Sequence, residues 1–238
     1  MKIALIGYGK MGHAIEEIAL QRGHEIVLRI TDENIEDFSN ENIQRADVAI
    51  EFTNPHSAVE NILSCLKANV AVVCGTTGWL TQLKLIEEKC KELNGAFLYA
   101  SNFSVGVNIL FELNKKLAAL LKPHPSYRVA IEEIHHTQKK DAPSGTAITL
   151  AEQIIEVSDE KNKWVNNDTT NKNELSIISK RIDEVPGTHS VKYSSAVDDI
   201  EIIHTAHNRK GFAEGAVLAA EFLQGKKGIY SMKEVLGF

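Results

Sequence analysis

With 238 residues, of which 43% are hydrophobic and 24% charged, the chain has the composition of a globular protein and not of a disordered or collagen-like one. Its 32 acids against 26 bases leave a formal charge of −6, which argues against phosphate-backbone binding, so no nucleic-acid partner is expected. Cys65, Cys74 and Cys90 form no C-x-x-C pair, and no apolar run reaches the roughly 20 residues that span a bilayer. With no signal-peptide pattern before the first strand, the expectation is a cytoplasmic chain without disulfides or a membrane partner.

Lys2–Ile6 is a continuous run of β-formers, the pattern of a strand covered on both faces, and Gly7 and Gly9 break it. Met11, Ala14, Ile15, Ile18 and Ala19 then recur at helical spacing up to Gly23, and His24–Ile30 is the next strand. The alternation continues with strand Asp47–Phe52, helix His56–Ala68, strand Val70–Cys74, helix Leu80–Leu93 and strand Ala96–Ala100. Strands separated by helices predict a parallel sheet with right-handed crossovers. From Tyr127 the pattern changes: strands Arg128–Ile134, Leu175–Ile182, Val191–Ser195 and Ile200–His204 contain one strong helix, Thr146–Val157, between the first two. This is an α+β pattern with a mixed or antiparallel sheet. Ser158–Asn173, the most polar stretch, reads as a surface loop. Ala216, Val217, Ala219, Ala220, Phe222 and Leu223 mark a last amphipathic helix, expected to return to the first domain.

Gly7-Tyr8-Gly9-Lys10-Met11-Gly12 is a G-x-G-x-x-G between a strand and a helix. There, glycines permit a tight turn, close approach of the backbone to a pyrophosphate and helix–strand packing. The fold class that follows is α/β, an N-terminal Rossmann dinucleotide-binding domain with a second α+β domain. An acid at the end of the second strand takes a ribose 2′-hydroxyl, whereas an Arg there accommodates a 2′-phosphate. Arg29 stands at that strand end with Asp32 just beyond, so NAD and NADP both stay open, and Arg29 also reads as a plain solvated charge. Gly75-Thr76-Thr77-Gly78 and Ser101-Asn102-Phe103-Ser104 each directly follow a strand, and Phe52-Thr53-Asn54-Pro55 ends the strand between. In an open parallel sheet such loops share the ligand-binding edge.

The segment Glu132–Ala147 concentrates two imidazoles, lysines and a helix start. Extended backbone would send His135 and His136 to opposite sides. Pro143 and Ser144-Gly145-Thr146 precede an apolar-periodic helix whose first N–H groups can hold a carboxylate or phosphate, with Lys139 as the opposite charge. Asp141 and Ser144 read as turn and N-cap residues supporting that loop. Without an H-E-x-x-H or a convergent ligand set, no metal is expected. Arg181, Gly187, His189 and the run His207–Phe212 are polar clusters near strand ends and read mainly as solvated surface.

Taken together these motifs resemble the 4-hydroxy-tetrahydrodipicolinate reductase (dihydrodipicolinate reductase) family. The resemblance rests on Glu133-Ile134-His135-His136, Lys139 and Asp141-Ala142-Pro143-Ser144-Gly145-Thr146-Ala147, on Gly75–Gly78 and on Ser101–Asn108. Val185–His189, Arg209-x-x-Phe212 and Gly228–Met232 extend it almost end to end. It implies a Rossmann domain of residues 1–106 plus 212–238 and a substrate-binding and tetramerisation domain of residues 107–211. It also implies a homotetramer that reduces a small cyclic dicarboxylate of the diaminopimelate and lysine pathway with NADH or NADPH. Carried over by position, it makes His135 the acid–base histidine, Lys139 the proton donor and His136 a substrate contact, with Ser144, Gly145 and Thr146 at a substrate carboxylate. The dinucleotide would lie on Gly7 to Gly12, Arg29, Gly75, Thr76, Thr77, Ala100, Ser101, Asn102 and Phe103. The family's frequent acid at the second strand end is not clearly present, and Ser158–Asn173 matches none of its patterns.

Overall fold

The computed structural model describes residues 1–208 and 210–238; Arg209, part of the expected Arg209-x-x-Phe212 motif, lies outside the described residues. The chain forms two compact units, Met1–Val105 with Lys210–Phe238, and Gly106–Arg209.

In chain order the first unit begins β1 (Lys2–Ile6), α1 (Lys10–Gln21), β2 (Glu25–Ile30), α2 (Asn40–Ile43), β3 (Val48–Glu51), α3 (Pro55–Lys67), β4 (Ala71–Cys74), α4 (Leu83–Glu92) and β5 (Ala96–Tyr99). Next come α5 (Val105–Leu121), β6 (Arg128–His135), α6 (Gly145–Val157), β7 (Lys163–Val165), β8 (Glu174–Arg181), β9 (Gly187–Ser194) and β10 (Asp199–Ala206). The chain then returns to the first unit through α7 (Lys210–Leu223), β11 (Gly228–Tyr230) and α8 (Met232–Leu236).

The first sheet runs β11-β5-β4-β3-β1-β2, parallel at every pairing. Its direction of growth reverses between β1 and β3, which marks the edge where an open parallel sheet binds ligands. In β1, Ile3 and Leu5 enter one core with α1, α7 and α8, while Ala4 and Ile6 enter a second core with α2, α3 and α4. Both faces are dry, hence the unbroken apolar run. Asn54 caps α3 by accepting from the His56 and Ser57 N–H groups at 3.0 and 3.2 Å, and Pro55 takes the first helical position. Cys65, Cys74 and Cys90 are free and buried, and burial pushes their thiols up.

The second sheet runs β10-β9-β6-β8-β7 and is mixed, with β6 parallel to β8 and antiparallel to β9. One face packs on α5 and α6 through Leu110, Phe111, Leu150, Ile154, Ile131, Ile177 and Val191. Three differences from the sequence reading stand out. The 17-residue α5 was not expected, because its first turn, Val105-Gly106-Val107, has low helix propensity and burial alone settles it. Ser158–Asn173 is not wholly a loop: Lys163–Val165 pairs in parallel with β8. β11 and α8 add a strand and a helix beyond the expected last helix. Among the described residues no helix is long and apolar enough to cross a membrane.

Candidate active site

The glycine turn of the first unit is built by exclusion of volume. Gly7 sits at φ +91°, and a Cβ there would lie 2.0 Å from the Phe52 carbonyl oxygen, so only glycine fits. A Cβ on Gly12 would lie 2.6 Å from the Gly7 oxygen, which lets α1 press against β1. At Gly9 the added atom would meet no described atom within 4 Å. Gly9 is the N-cap of α1, offers no side chain to the first N–H groups, and no acid stands in that turn. The positive end of the helix therefore faces open space.

Beside it lies a cleft of about 360 Å³ walled by Gly9–Met11, by Phe52, Thr53 and Pro55, and by Gly75–Thr77. Three strand ends that are distant in sequence thus share one edge. Glu51, fully buried below, accepts from the Thr53 N–H at 3.1 Å and takes the Cys74 thiol at 3.0 Å. Thr53 N–H also donates to the Thr76 hydroxyl at 2.8 Å, which locks two of the loops together. Helix N–H groups, threonine hydroxyls and Lys10 in an open cleft are a donor set that fits a pyrophosphate. Ala100, Ser101, Asn102 and Phe103 end the neighbouring strand without lining this cleft. The Phe103 ring is buried 5.6 Å from that of Phe52, and Asn102 accepts from the Ser104 N–H at 2.9 Å. Tyr8 and Arg29 lie to the side, both bonded to Glu16.

In the second unit β6 alternates, with Ile131, Glu133 and His135 buried and the residues between them more exposed. Glu133 is fully buried, and both its oxygens accept from the Ser144 N–H, at 3.1 and 3.0 Å. Arg181 Nη2 donates to it at 3.2 Å. Its Oε2 is 3.5 Å from His135 Nδ1 and 3.8 Å from His189 Nε2. The β6–β9 register sets His189 directly opposite Glu133, and the two imidazoles meet edge-on with centroids 5.0 Å apart. Ser144 Oγ lies 3.0 Å from His189 Nε2 while accepting from the Ala147 N–H as N-cap of α6. A Cβ at Gly187 would lie 3.1 Å from His135 Nε2, so the ring packs on bare backbone.

Burial pushes both histidines down, His189 to about 4, and the attraction of Glu133 only partly opposes it, so both rings are neutral at pH 7. Burial by itself would raise Glu133, but hydrogen bonds from Ser144 and Ser179, with the attraction of His135, outweigh it and hold the carboxyl below its ordinary range. His189 and Arg181, read from sequence as solvated, are in fact members of this cluster: His189 is buried and Arg181 half-buried. Their strands lie some fifty residues from Glu133, so only the sheet register brings them in. Glu133, His135 and His189 also hold ligand-type atoms within 4.8 Å of one another, a set that could hold a metal ion although none was expected. Arg181 and Ser144 already engage the carboxylate and one imidazole.

His136 goes the other way. It lines a cleft of about 510 Å³ with Thr137, Gln138, Asp183–Pro186 and Asn208, and His135 does not reach that cleft. Lys139 donates to both Asp141 oxygens at 2.8 Å. Partial burial would raise the Asp141 carboxyl, yet Lys139 holds it below its ordinary range. The Asp141 carbonyl accepts from Arg181 Nη2 at 2.5 Å, which ties the Lys139 loop back to Glu133. At the start of α6 a Cβ on Gly145 would meet no described atom within 4 Å, and no acid stands in the first turn. Thr146 follows it, half-buried, in the same turn. The arrangement offers an anion site, an ammonium and a dry imidazole pair within one unit.

Residues 1–103 match the family model described as dihydrodipicolinate reductase, N-terminus, and residues 106–236 match dihydrodipicolinate reductase, C-terminus. A 4-hydroxy-tetrahydrodipicolinate reductase of Christiangramia forsetii is 52% identical over 236 residues, 99% of this chain and 98% of the relative. One of Methanoregula boonei is 39% identical over 82% of this chain and 76% of its own length. The solved structure of a dipicolinate-bound dihydrodipicolinate reductase from Paenisporosarcina sp. TG-14 aligns with a TM-score of 0.77 at 25% identity, covering 97% of each chain.

Proposed function

The chain belongs to the dihydrodipicolinate reductase family, and from that premise we propose that it reduces 4-hydroxy-tetrahydrodipicolinate to tetrahydrodipicolinate with NADH or NADPH. This places it in diaminopimelate and lysine biosynthesis. The observation that carries the reading is the 52% identity maintained across 99% of the chain. The net reaction takes up a hydride and a proton and releases water. Bound dinucleotide supplies the hydride; the chain's residues hold the acid groups and deliver the proton.

The substrate has two carboxylates, so it needs two anion contacts. Gly145 and Thr146 at the start of α6 supply one through backbone N–H groups, oriented by the Ser144 cap. Lys139, or His136 from the neighbouring cleft that it lines, supplies the other. Lys139 is the proton donor, and Asp141 pairs with its ammonium and aims it. His135 is the acid–base partner: burial disfavours its charged form, so the ring gives up a proton readily once it has taken one. The dinucleotide lies on Gly7 to Gly12, on Gly75 to Thr77 and against the Ala100–Phe103 strand end. The active form is a cytoplasmic homotetramer built through residues 107–211, where the face of the second sheet away from α6 leaves Ile203 58% exposed.

The test is decay of the reduced-nicotinamide absorbance when the purified chain is coupled to a synthase that makes the unstable substrate in place. Decay that depends on that synthase supports the reading. A flat trace with both NADH and NADPH overturns it.

A further inference from the structure

We propose that Glu16 sets the choice between NADH and NADPH by occupying Arg29, the group that would otherwise receive a 2′-phosphate. The inference rests on the dinucleotide reading above. Arg29 lies about 20 residues beyond Gly7 at the end of β2, where such folds meet the adenosine ribose, and an arginine there is the usual partner of a 2′-phosphate.

In this chain the guanidinium is already engaged. Its Nε donates to Glu16 Oε1 at 3.0 Å, and Nη2 donates to the same oxygen. The other Glu16 oxygen accepts from the Tyr8 hydroxyl. The Arg29 guanidinium carbon stands 5.9 Å over the Tyr8 ring, and that ring packs at 4.1 Å on His13. Glu16 is thus held from both sides by a residue of the glycine turn and by the strand-end arginine. The Arg29 hydrogen bond keeps its carboxyl below the ordinary range, so the competitor stays charged at neutral pH.

A carboxylate bonded to Arg29 does chemically what the 2′-phosphate would do, because both offer anionic oxygens to the N–H fork of a guanidinium. NADPH must therefore displace Glu16 or place a dianion beside it. Asp32 and Glu33, exposed just after β2, add to that repulsion, and Lys10 in the turn opposes it. NADH carries a hydroxyl at this position and meets neither cost. Glu16 is thus a specificity-determining residue on α1, on a different element from the strand end where sequence reading looks for the selector.

The experiment is fluorescence titration of the purified full chain with NADH and with NADPH, for wild type, Glu16→Gln and Glu16→Gln with Arg29→Gln. The expected results are a wild type that favours NADH, a shift of about tenfold or more toward NADPH in Glu16→Gln, and loss of that gain in the double variant. The gain should shrink at high ionic strength. Glu16→Ala repeats the test without the amide, and retained NADH binding in either single variant reports an intact turn. A Glu16→Gln ratio within about twofold of wild type, or a gain that survives Arg29→Gln, overturns the inference. A wild type that binds neither nucleotide removes the cofactor reading and this proposal together.

Discussion

Both units place a helix start at a candidate anion site, and the two are constructed on opposite principles. α1 opens on Gly9, with no capping side chain and no acid in its first turn, and the approach depends on space: Gly7 is wedged against the Phe52 carbonyl, and a Cβ on Gly9 would meet no described atom within 4 Å. α6 opens on Ser144, whose hydroxyl caps the helix, whose N–H is taken by buried Glu133 and whose oxygen meets His189. The first start is a backbone device that volume should break. The second is a charged, hydrogen-bonded device that removal of a proton carrier or an acceptor should break.

The largest effect belongs to the second. Lys139→Ala removes the proposed proton donor and should lower turnover by about 10³-fold, while NADH affinity by fluorescence titration stays within about twofold, because the residues proposed to hold the nucleotide all belong to the other unit. His135→Ala should follow the same pattern. Turnover near wild type in both variants would remove the catalytic assignment.

Volume gives the next contrast. Gly7→Ala forces a Cβ to 2.0 Å from a backbone oxygen at φ +91° and should destabilise the fold by about 3 kcal/mol or more. Gly145→Ala meets no described atom within 4 Å and, at a helical position, should hold the urea midpoint or raise it through a gain of up to about 1 kcal/mol in unfolding free energy, while raising the substrate KM. Equal midpoints for the two variants would erase the distinction drawn here.

The same contrast explains what the sequence shows directly. The glycine turn is local: strand, turn and helix lie within some twenty residues, and Ile3, Leu5, Ile15 and Ile18 carry both periodicities. The imidazole cluster is not local. Glu133, Arg181 and His189 come from three strands, and only the β6–β8 and β6–β9 registers put them together. Glu51 escapes notice for the same reason, as an acid in an apolar run whose partners arrive from α3 and β4. α5 was hidden by a first turn of valines and glycine, and β7 by its three-residue length. α8, in contrast, had a readable signal: Ser231 and Glu234 form a capping box.

Acid should sharpen the comparison further, since the histidine cluster titrates and the glycine turn does not. His189 binds its proton at about 4 in the folded chain against an ordinary 6.5, chiefly through burial. The unfolded chain therefore holds more protons between these values, so the stabilisation is complete above pH 6.5 and is lost as pH falls toward 4. The loss amounts to about 3 kcal/mol at most, with His135 shifted in the same direction. The urea midpoint should fall across this window in wild type and fall less steeply in His189→Gln. Parallel curves would mean that the imidazole is not what titrates.

The smallest effect isolates the cap itself. In Ser144→Ala the backbone N–H still reaches Glu133, so that carboxylate keeps this donor. What disappears is the hydroxyl, and with it the acceptor for the Ala147 N–H and the partner of His189 Nε2. Loss of an N-cap costs about 1 kcal/mol, and a buried imidazole nitrogen left without a partner adds a comparable amount. Ser144→Thr restores the oxygen and should recover most of the stability. It should recover the substrate KM only if the extra methyl is tolerated beside His189, which is 5% exposed. Stability regained without KM would mean that the added methyl, and not the hydroxyl, disturbs the substrate end of the helix. A Ser144→Ala variant with unchanged midpoint and unchanged KM would reduce Ser144 to a turn residue and leave α6, like α1, a purely backbone device.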